Sequence, residues 1–142
     1  MFIGKKVIFF VTFMVVLSSC LGPENNPEVV LRDFIQKQFT GKLTRQDVLK
    51  RTTGELFVEY SKMTDETFKN LFLQKKLAKK KVKIKFKKCS DLRCSITFSI
   101  SYDVYEDKKI KNMVETKKIA SLLKDNKNTW KIEKIVNLKT YF

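Results

Sequence analysis

Residues 96–104 read Ile-Thr-Phe-Ser-Ile-Ser-Tyr-Asp-Val, so that apolar and polar side chains alternate at every position. Lysine alternates with apolar residues in the same way over 81–87, which read Lys-Val-Lys-Ile-Lys-Phe-Lys. A period of two is typical of a strand that has one face buried and the other in water. The two stretches therefore predict antiparallel strands that belong to one sheet.

Two further strands are predicted between this pair and the C-terminus. Residues 107–112 are expected to connect into a strand over 113–123, and residues 125–128 to turn the chain into a last strand over 130–141. The apolar residues expected to share one face of the last strand are Trp130, Ile132, Val136 and Leu138. The C-terminal half is thus predicted to be a four-stranded antiparallel meander.

The chain before this meander has the boundary residues of helices. Asn26-Pro27-Glu28 supplies a capping side chain, a proline and an acid, all of which favour a helix start, and Thr40-Gly41 ends the first helix. Thr44 with Asp47 predicts the start of a shorter helix, and Thr52 with Glu55 repeats that pattern.

A last helical stretch is predicted over 64–78, with Phe68, Leu71, Phe72 and Leu77 facing inward. Helices followed by a strand meander are typical of an α+β domain whose helices pack on one side of the sheet. The sequence therefore predicts one such domain over residues 27–142.

Composition excludes several classes of function. The 142 residues carry a formal net charge of +15, and the chain contains no histidine. Zinc sites built on histidine, Ser-His-Asp and Cys-His nucleophiles and imidazole-held haem are thereby excluded. Because 43% of the residues are hydrophobic, the chain has enough apolar surface for a core. We predict no cofactor, no metal site and no catalytic residues.

The N-terminus has the pattern of an export signal. Lys5 and Lys6 precede an apolar stretch over 7–17, which is shorter than the roughly 20 residues that a membrane-spanning helix needs. Leu17-Ser18-Ser19-Cys20 then resembles the lipobox of bacterial lipoproteins. The alternative is an ordinary signal peptide, or a short membrane anchor, with an incidental cysteine.

The lipobox resemblance implies a location. It implies that residues 1–19 are removed, that Cys20 carries the lipid which attaches the chain to a membrane, and that residues 20–26 are the tether. The resemblance places the protein in the cell envelope, and Leu21 after the cysteine favours the outer membrane in a bacterium with two membranes.

The domain itself resembles a second group of proteins. The lipobox, the helix that begins with Pro27-Glu-Val-Val30 and the late Trp130-Lys-Ile-Glu-Lys-Ile135 are similar to small bacterial lipoproteins with an NTF2-like cone domain. This resemblance implies a curved four-stranded antiparallel sheet wrapped around the helices, with a concave pocket, and it carries over no catalytic residue. The aromatic residues that could line such a pocket are Phe57, Tyr60, Phe72, Tyr102 and Trp130.

Cys89 and Cys94 are predicted to form a disulfide at the tip of the first hairpin, because exported proteins retain disulfides. If the two cysteines face each other directly, Phe86 lies opposite Thr97, which puts an apolar side chain on the polar face. A one-residue bulge near 87–89 would restore the alternation. A redox-active pair or a metal site is the less favoured interpretation.

A lysine-rich run over 75–88 is the strongest charge feature. The lysines predicted to bind an anionic surface are Lys79, Lys80, Lys81, Lys83, Lys85 and Lys87. Because the chain is predicted to be exported, its partners are expected to be anionic lipid or acidic glycan, and nucleic acid is not expected. The alternative is a solvated sheet face whose lysines prevent edge-to-edge pairing.

Three functions follow from these features, and the favoured one is a membrane-anchored, non-catalytic binding or interaction module with an unidentified envelope partner. One alternative is an inhibitor or immunity-type lipoprotein, whose positive charge would suit an acidic protein. The other is an enzyme that uses two carboxylates on envelope polymers. Two carboxylates facing each other in a cavity would favour the enzyme.

Overall fold

The computed structural model describes residues 22–73 and 80–142. Within them, helices come first and a four-stranded antiparallel sheet follows, so the predicted α+β class is confirmed. The predictions for Cys20, Leu77 and Lys79 lie outside the described residues, as does the side chain of Lys80.

The helical half begins with a 3-10 helix over Pro23–Asn25, inside the predicted tether. The α-helices are α1 (Pro27–Thr40), α2 (Arg45–Arg51), α3 (Gly54–Lys62) and α4 (Asp65–Phe68), and α4 continues as a π-helical segment over Lys69–Leu73. The sheet has the order β1-β2-β3-β4, with β1 (Lys80–Cys89), β2 (Arg93–Glu106), β3 (Lys109–Lys124) and β4 (Trp130–Tyr141).

Capping side chains define the predicted starts of α1 and α2. The Asn26 side chain accepts hydrogen bonds from the backbone of Glu28 and Val29 at 3.0 and 3.3 Å, and Thr44 forms a capping box with Asp47. Gly41 ends α1 with a φ of +66°, a conformation that glycine adopts without steric cost. The sequence predicted all three boundaries correctly.

The predicted cap at Thr52 is wrong. Thr53 occupies the N-cap position of α3 and makes no side-chain capping bond. Thr52 is instead buried, its hydroxyl donates to the Val48 carbonyl at 2.9 Å, and its backbone bridges to Ile132 of β4. Thr52 therefore links the end of α2 to β4, the edge strand of the sheet, through its side chain on one side and its backbone on the other.

The helical stretch predicted over 64–78 is described only as far as Leu73, and there it changes from α to π geometry. Phe68 and Phe72 face the core as predicted, and their rings stack with centroids 4.7 Å apart. The inward prediction for Leu71 is wrong, because 41% of this residue is exposed.

Helices α1 to α4 pack on one face of the sheet, which we call the inner face. Its buried positions on β2 are Cys94, Ile96, Phe98 and Ile100. They form one cluster with Leu31, Phe34, Val48, Leu56 and Phe72 of the helical half. Among the described residues, all those that are buried lie between Val30 and Ile132.

The alternate positions of the strands form the outer face, on which no described helix packs. Its positions on β2 are Ser95, Thr97, Ser99 and Ser101. Hydroxyl-bearing residues suit a face in contact with water, because their side chains can form hydrogen bonds with solvent.

Bulges decide which side chains of the edge strands reach each face. The bulge predicted near 87–89 is wrong, because pairing is continuous from Phe86 to Cys89; the strand has its bulge between Ile84 and Phe86 instead. Phe86 therefore pairs with Thr97 on the outer face, where 63% of it is exposed, and its predicted place beside Ile84 is wrong. The register after the bulge matches Cys89 with Cys94.

Strand β4 contains two further irregularities, around Glu133 and Leu138. They place Val136 opposite Ile119 on the outer face, whereas Trp130 and Ile132 point into the core. The predicted common face for these residues is therefore wrong at Val136 and Leu138, both of which are exposed. A period-two pattern fails after a bulge because the extra residue reverses the faces.

Candidate functional site

The predicted anionic-surface lysines of β1 divide between the two faces. Lys81 and Lys83 pair with Ser101 and Ser99 on the outer face. Lys85 sits in the bulge, and its ammonium lies 3.3 Å from a carboxylate oxygen of Glu115, an outer-face residue of β3. These three lysines therefore serve one surface.

Lys87 does not belong to that surface, which corrects the prediction. The bulge turns Lys87 to the inner side, where its ammonium lies 3.6 Å from a carboxylate oxygen of Glu28 on α1. Arg32 holds the same carboxylate and also donates to the Val82 carbonyl at 2.9 Å. Lys87 and Arg32 thus join β1 to the first helix.

Lysines from other strands complete the outer face. Lys117 of β3 pairs with Ser99 on one side and with Lys139 of β4 on the other, so that Lys83, Ser99, Lys117 and Lys139 form one row across the sheet. The other lysines at outer-face positions are Lys88, Lys131 and Lys134. Lys88 lies in β1 and in the lysine-rich run over 75–88, although the predicted set does not include it. Sequence reasoning missed Lys117, Lys139, Lys131 and Lys134, because only strand pairing brings them into the same sheet face as β1.

Several of these lysines lack a carboxylate partner. Lys131 is paired with Asp125 and Lys134 with Glu55. The outer-face lysines that form no ion pair within the described part of the chain are Lys81, Lys83, Lys88, Lys117 and Lys139. Lys139 instead lies over the Tyr141 ring, 5.0 Å from its centroid. The face consequently presents uncompensated positive charge.

Glu115 and Ser99 lie within this cationic surface. Interaction with the Ser99 hydroxyl, and then with Lys85, lowers the pKa of Glu115, so this carboxylate stays ionised among the lysines. Ser99 is only 1% exposed, and its hydroxyl has no hydrogen-bond partner of ordinary geometry among the described residues. The small side chain lets the neighbouring lysines cover this position.

An apolar row crosses the outer face between rows of lysines. Phe86, Thr97, Ile119 and Val136 are successive cross-strand neighbours on β1 to β4. Phe86 and Val136 are both exposed. The face thus combines apolar side chains with cations, as the surfaces of proteins that lie on anionic membranes do.

Cys89 and Cys94 are disulfide-bonded at the end of the β1–β2 hairpin, and their Cα atoms are 4.0 Å apart. Cys94 is buried in the core, whereas Cys89 is exposed. The pair closes the hairpin at the end of the domain where the chain enters. No group of three or more Cys, Asp or Glu side chains in the described ranges is arranged to hold a metal ion.

The aromatic residues predicted to line a pocket do not meet in one. The Tyr60 and Phe72 rings pack edge to face in the core with centroids 5.1 Å apart, and burial raises the pKa of Tyr60 to about 12. Phe57 is 43% exposed and Tyr102 packs against the margin of the core. Trp130 lines a cavity that lies at the chain-entry end.

The pKa values of two carboxylates at that cavity, Asp33 and Asp125, are lowered. Partial burial of Asp33 raises its pKa, but hydrogen bonds from Lys37 and Arg51 outweigh this and hold the pKa below its usual value. Bonds from the Thr129 and Lys127 backbone lower the pKa of Asp125. A general acid needs its pKa raised, and the pKa shifts of Asp33 and Asp125 are in the opposite direction.

Within residues 22–73 and 80–142, no helix has both the length and the apolar character needed to cross a bilayer. Comparison of the chain with protein-family models, curated proteins and solved structures finds no match in any of the three.

Proposed function

We propose that this chain is a lipid-anchored protein of the bacterial cell envelope that binds anionic surfaces without catalysis. The observation that carries the proposal is the outer face, where lysines without ion pairs surround the exposed Phe86 and Val136. Each lysine close to an anionic membrane contributes about 1 kcal/mol of binding. The apolar row adds contacts that a soluble polyanion would not use.

The proposed anchor is a lipid on Cys20 after removal of residues 1–19, with the outer membrane as the site in a bacterium with two membranes. The support is the lipobox-like Leu17-Ser18-Ser19-Cys20 after an apolar stretch. Intact mass spectrometry of membrane-extracted protein, with and without reduction, tests it. We expect a chain that begins at Cys20 with added acyl groups, and a gain of two hydrogens on reduction of Cys89 and Cys94.

An unmodified chain that retains residues 1–19 would contradict the anchor. Nucleic acid would then become a candidate partner, because a chain that is not exported would carry its lysine-rich face in the same compartment as nucleic acid.

We also propose that the sheet curves around the helices as an NTF2-like cone. The support is the element order and the bulges in all three strand pairings, since bulges bend the strands that contain them. A crystal structure of residues 22–142 with a flat sheet would contradict this.

The surface proposal is tested with residues 22–142, which include every buried residue of the described part of the chain. Cosedimentation compares vesicles of phosphatidylcholine alone with vesicles that also contain phosphatidylglycerol. We expect binding to the anionic vesicles that weakens with added salt, because salt screens exposed charges.

Substitution of Lys81, Lys83 and Lys117 by Gln should weaken that binding roughly a hundredfold, since three contributions of about 1 kcal/mol are lost. The matched control replaces Lys42, Lys62 and Lys69, which lie in the helical half, and changes the net charge equally. Equal loss in both variants would show that net charge alone attracts the domain. Binding of neither vesicle, with capture of an acidic protein instead, would favour the inhibitor-type alternative.

A further inference from the structure

A cavity of about 580 Å³ lies at the chain-entry end of the domain, away from the rows of the outer face. It is bounded by α1, by the end of α2 and by the turn between β3 and β4. The size is within the range of sites that hold small organic molecules. Trp130, whose indole nitrogen donates to the Asn25 carbonyl at 3.1 Å, joins the entering chain to the wall of this cavity.

Most charged groups around the cavity already have partners. Asp33 is paired with Lys37, at 3.0 Å, and with Arg51. Asp125 is bonded to the backbone of Lys127 and Thr129, each at 2.9 Å, and lies 3.6 Å from the Lys131 ammonium. Asp47 caps α2 through Thr44. These groups form a rigid frame rather than a set of open binding positions.

Two ammonium groups remain available. Lys50, at the end of α2, and Lys127, in the β3–β4 turn, line the cavity and form no ion pair among the described residues. The remaining carboxylate is Glu24, which is exposed in the 3-10 helix. The uncommitted charge around the cavity is therefore positive on balance.

Apolar side chains provide the rest of the surface. Val29 and Val30 of α1 and the Trp130 ring all border the cavity. Val29 is exposed although it lies on the first helix beside a core residue. An apolar wall next to two free ammonium groups suits a ligand that has an anionic end and an apolar end.

We infer that this cavity binds a small phosphate-bearing amphiphile, with its phosphate between Lys50 and Lys127 and its apolar part against Val29 and Trp130. Two sources would supply that chemistry, a phospholipid of the membrane or a soluble phosphorylated compound. A lipid on Cys20 would hold this end of the domain beside the membrane, because only Leu21 separates Cys20 from the described Gly22. The two lysines proposed to hold the phosphate, Lys50 and Lys127, are not among the outer-face lysines; Lys131, which also borders the cavity, is already paired with Asp125.

The test uses the full chain in a non-ionic maltoside detergent and follows the fluorescence of Trp130, the one tryptophan of the chain. The probes are dihexanoyl phosphatidylglycerol for the lipid source, phenyl phosphate for the soluble source and inorganic phosphate without an apolar part. We expect saturable binding of at least one organic phosphate, about tenfold or more tighter than that of inorganic phosphate. The organic phosphate that binds more tightly identifies the source.

Paired variants then test the positions of the charges. Substitution of Lys50 and Lys127 by Gln should weaken binding about tenfold or more, because each charged hydrogen bond is lost. Substitution of Lys62 and Lys109 by Gln removes the same charge away from the cavity and should leave binding unchanged.

Three results would overturn the inference: no saturable change with either organic phosphate, equal affinity for inorganic phosphate, or an equal loss in both paired variants. None of them bears on the vesicle test of the outer face, because the two experiments change different lysines. Circular dichroism of each variant separates loss of binding from loss of folding.

Discussion

The two faces of the sheet are built from the same strands and differ in almost every physical property. On β2, Ile96 and Phe98 are fully buried beneath the helices, while Thr97 between them lies on the uncovered face. Adjacent positions of one strand thus pack in the core on the inner face and contact solvent on the outer face. Because the inner face is occupied by core packing, we look for binding on the outer face.

Lys117 and Lys118 show the same contrast within one pair of neighbours. Lys117 lies on the outer face without an ion pair, whereas Lys118 pairs with Phe98 on the inner side. Burial lowers the pKa of Lys118 because it disfavours the charged ammonium. Two neighbouring lysines therefore differ in burial, and the composition of the chain does not distinguish them.

The largest change in the free energy of unfolding is expected when a side chain of β2 that faces the core is shortened. Phe98→Ala should lower the free energy of unfolding by about 3–5 kcal/mol, because it leaves a cavity in the core. Thr97→Ala should cost less than about 1 kcal/mol, because its side chain is on the outer face. Urea unfolding followed by Trp130 fluorescence measures both. Similar costs for the two variants would break the comparison.

A smaller effect is expected from the neighbouring lysines. Lys118→Met should raise the free energy of unfolding near neutral pH by up to about 1 kcal/mol, since it removes a half-buried charge. Lys117→Met is the matched control and should change stability little.

The same pair predicts a pH dependence. The folded pKa of Lys118 is below its unfolded value of 10.5, so between these two values the unfolded chain binds more protons and the folded form gains stability as pH rises. Urea unfolding of the unsubstituted chain at increasing alkaline pH should show this gain, and Lys118→Met should lack it. A Lys118→Met variant with the same gain would contradict the assignment.

The smallest effect is expected at the bulge of β1. Phe86→Thr should change the free energy of unfolding by no more than about 0.5 kcal/mol, because most of its side chain is in water. Ile84→Thr, on the other side of the bulge, should cost clearly more because Ile84 packs against the core. The denaturant midpoints of the two variants show which substitution costs more stability. The reverse order would place the bulge elsewhere.

Much of the fold could be predicted because it depends on local chemistry. Asn26, Thr44 and Gly41 define helix ends through hydrogen bonds and backbone freedom within a few residues. The alternation over 96–104 places β2 correctly on both faces. Such features need no knowledge of distant parts of the chain.

The candidate site could be predicted only in part. Lys81 and Lys83 share a face as their spacing indicates, since they precede the bulge. Lys87 follows the bulge and reaches α1 instead. Lys117 and Lys139 join the surface through strand pairing, which depends on the register of β3 and β4.

The sequence by itself determined the α+β class, the starts of α1 and α2, the strand meander and the excess of positive charge, because these follow from periodicity, capping and composition. Only the tertiary structure decided which lysines meet, because a single extra residue in β1 and two irregularities in β4 exchange the faces of the positions that follow. It also decided where the chain-entry cavity lies, since α1, α2 and the β3–β4 turn meet there only when the helices pack on the sheet.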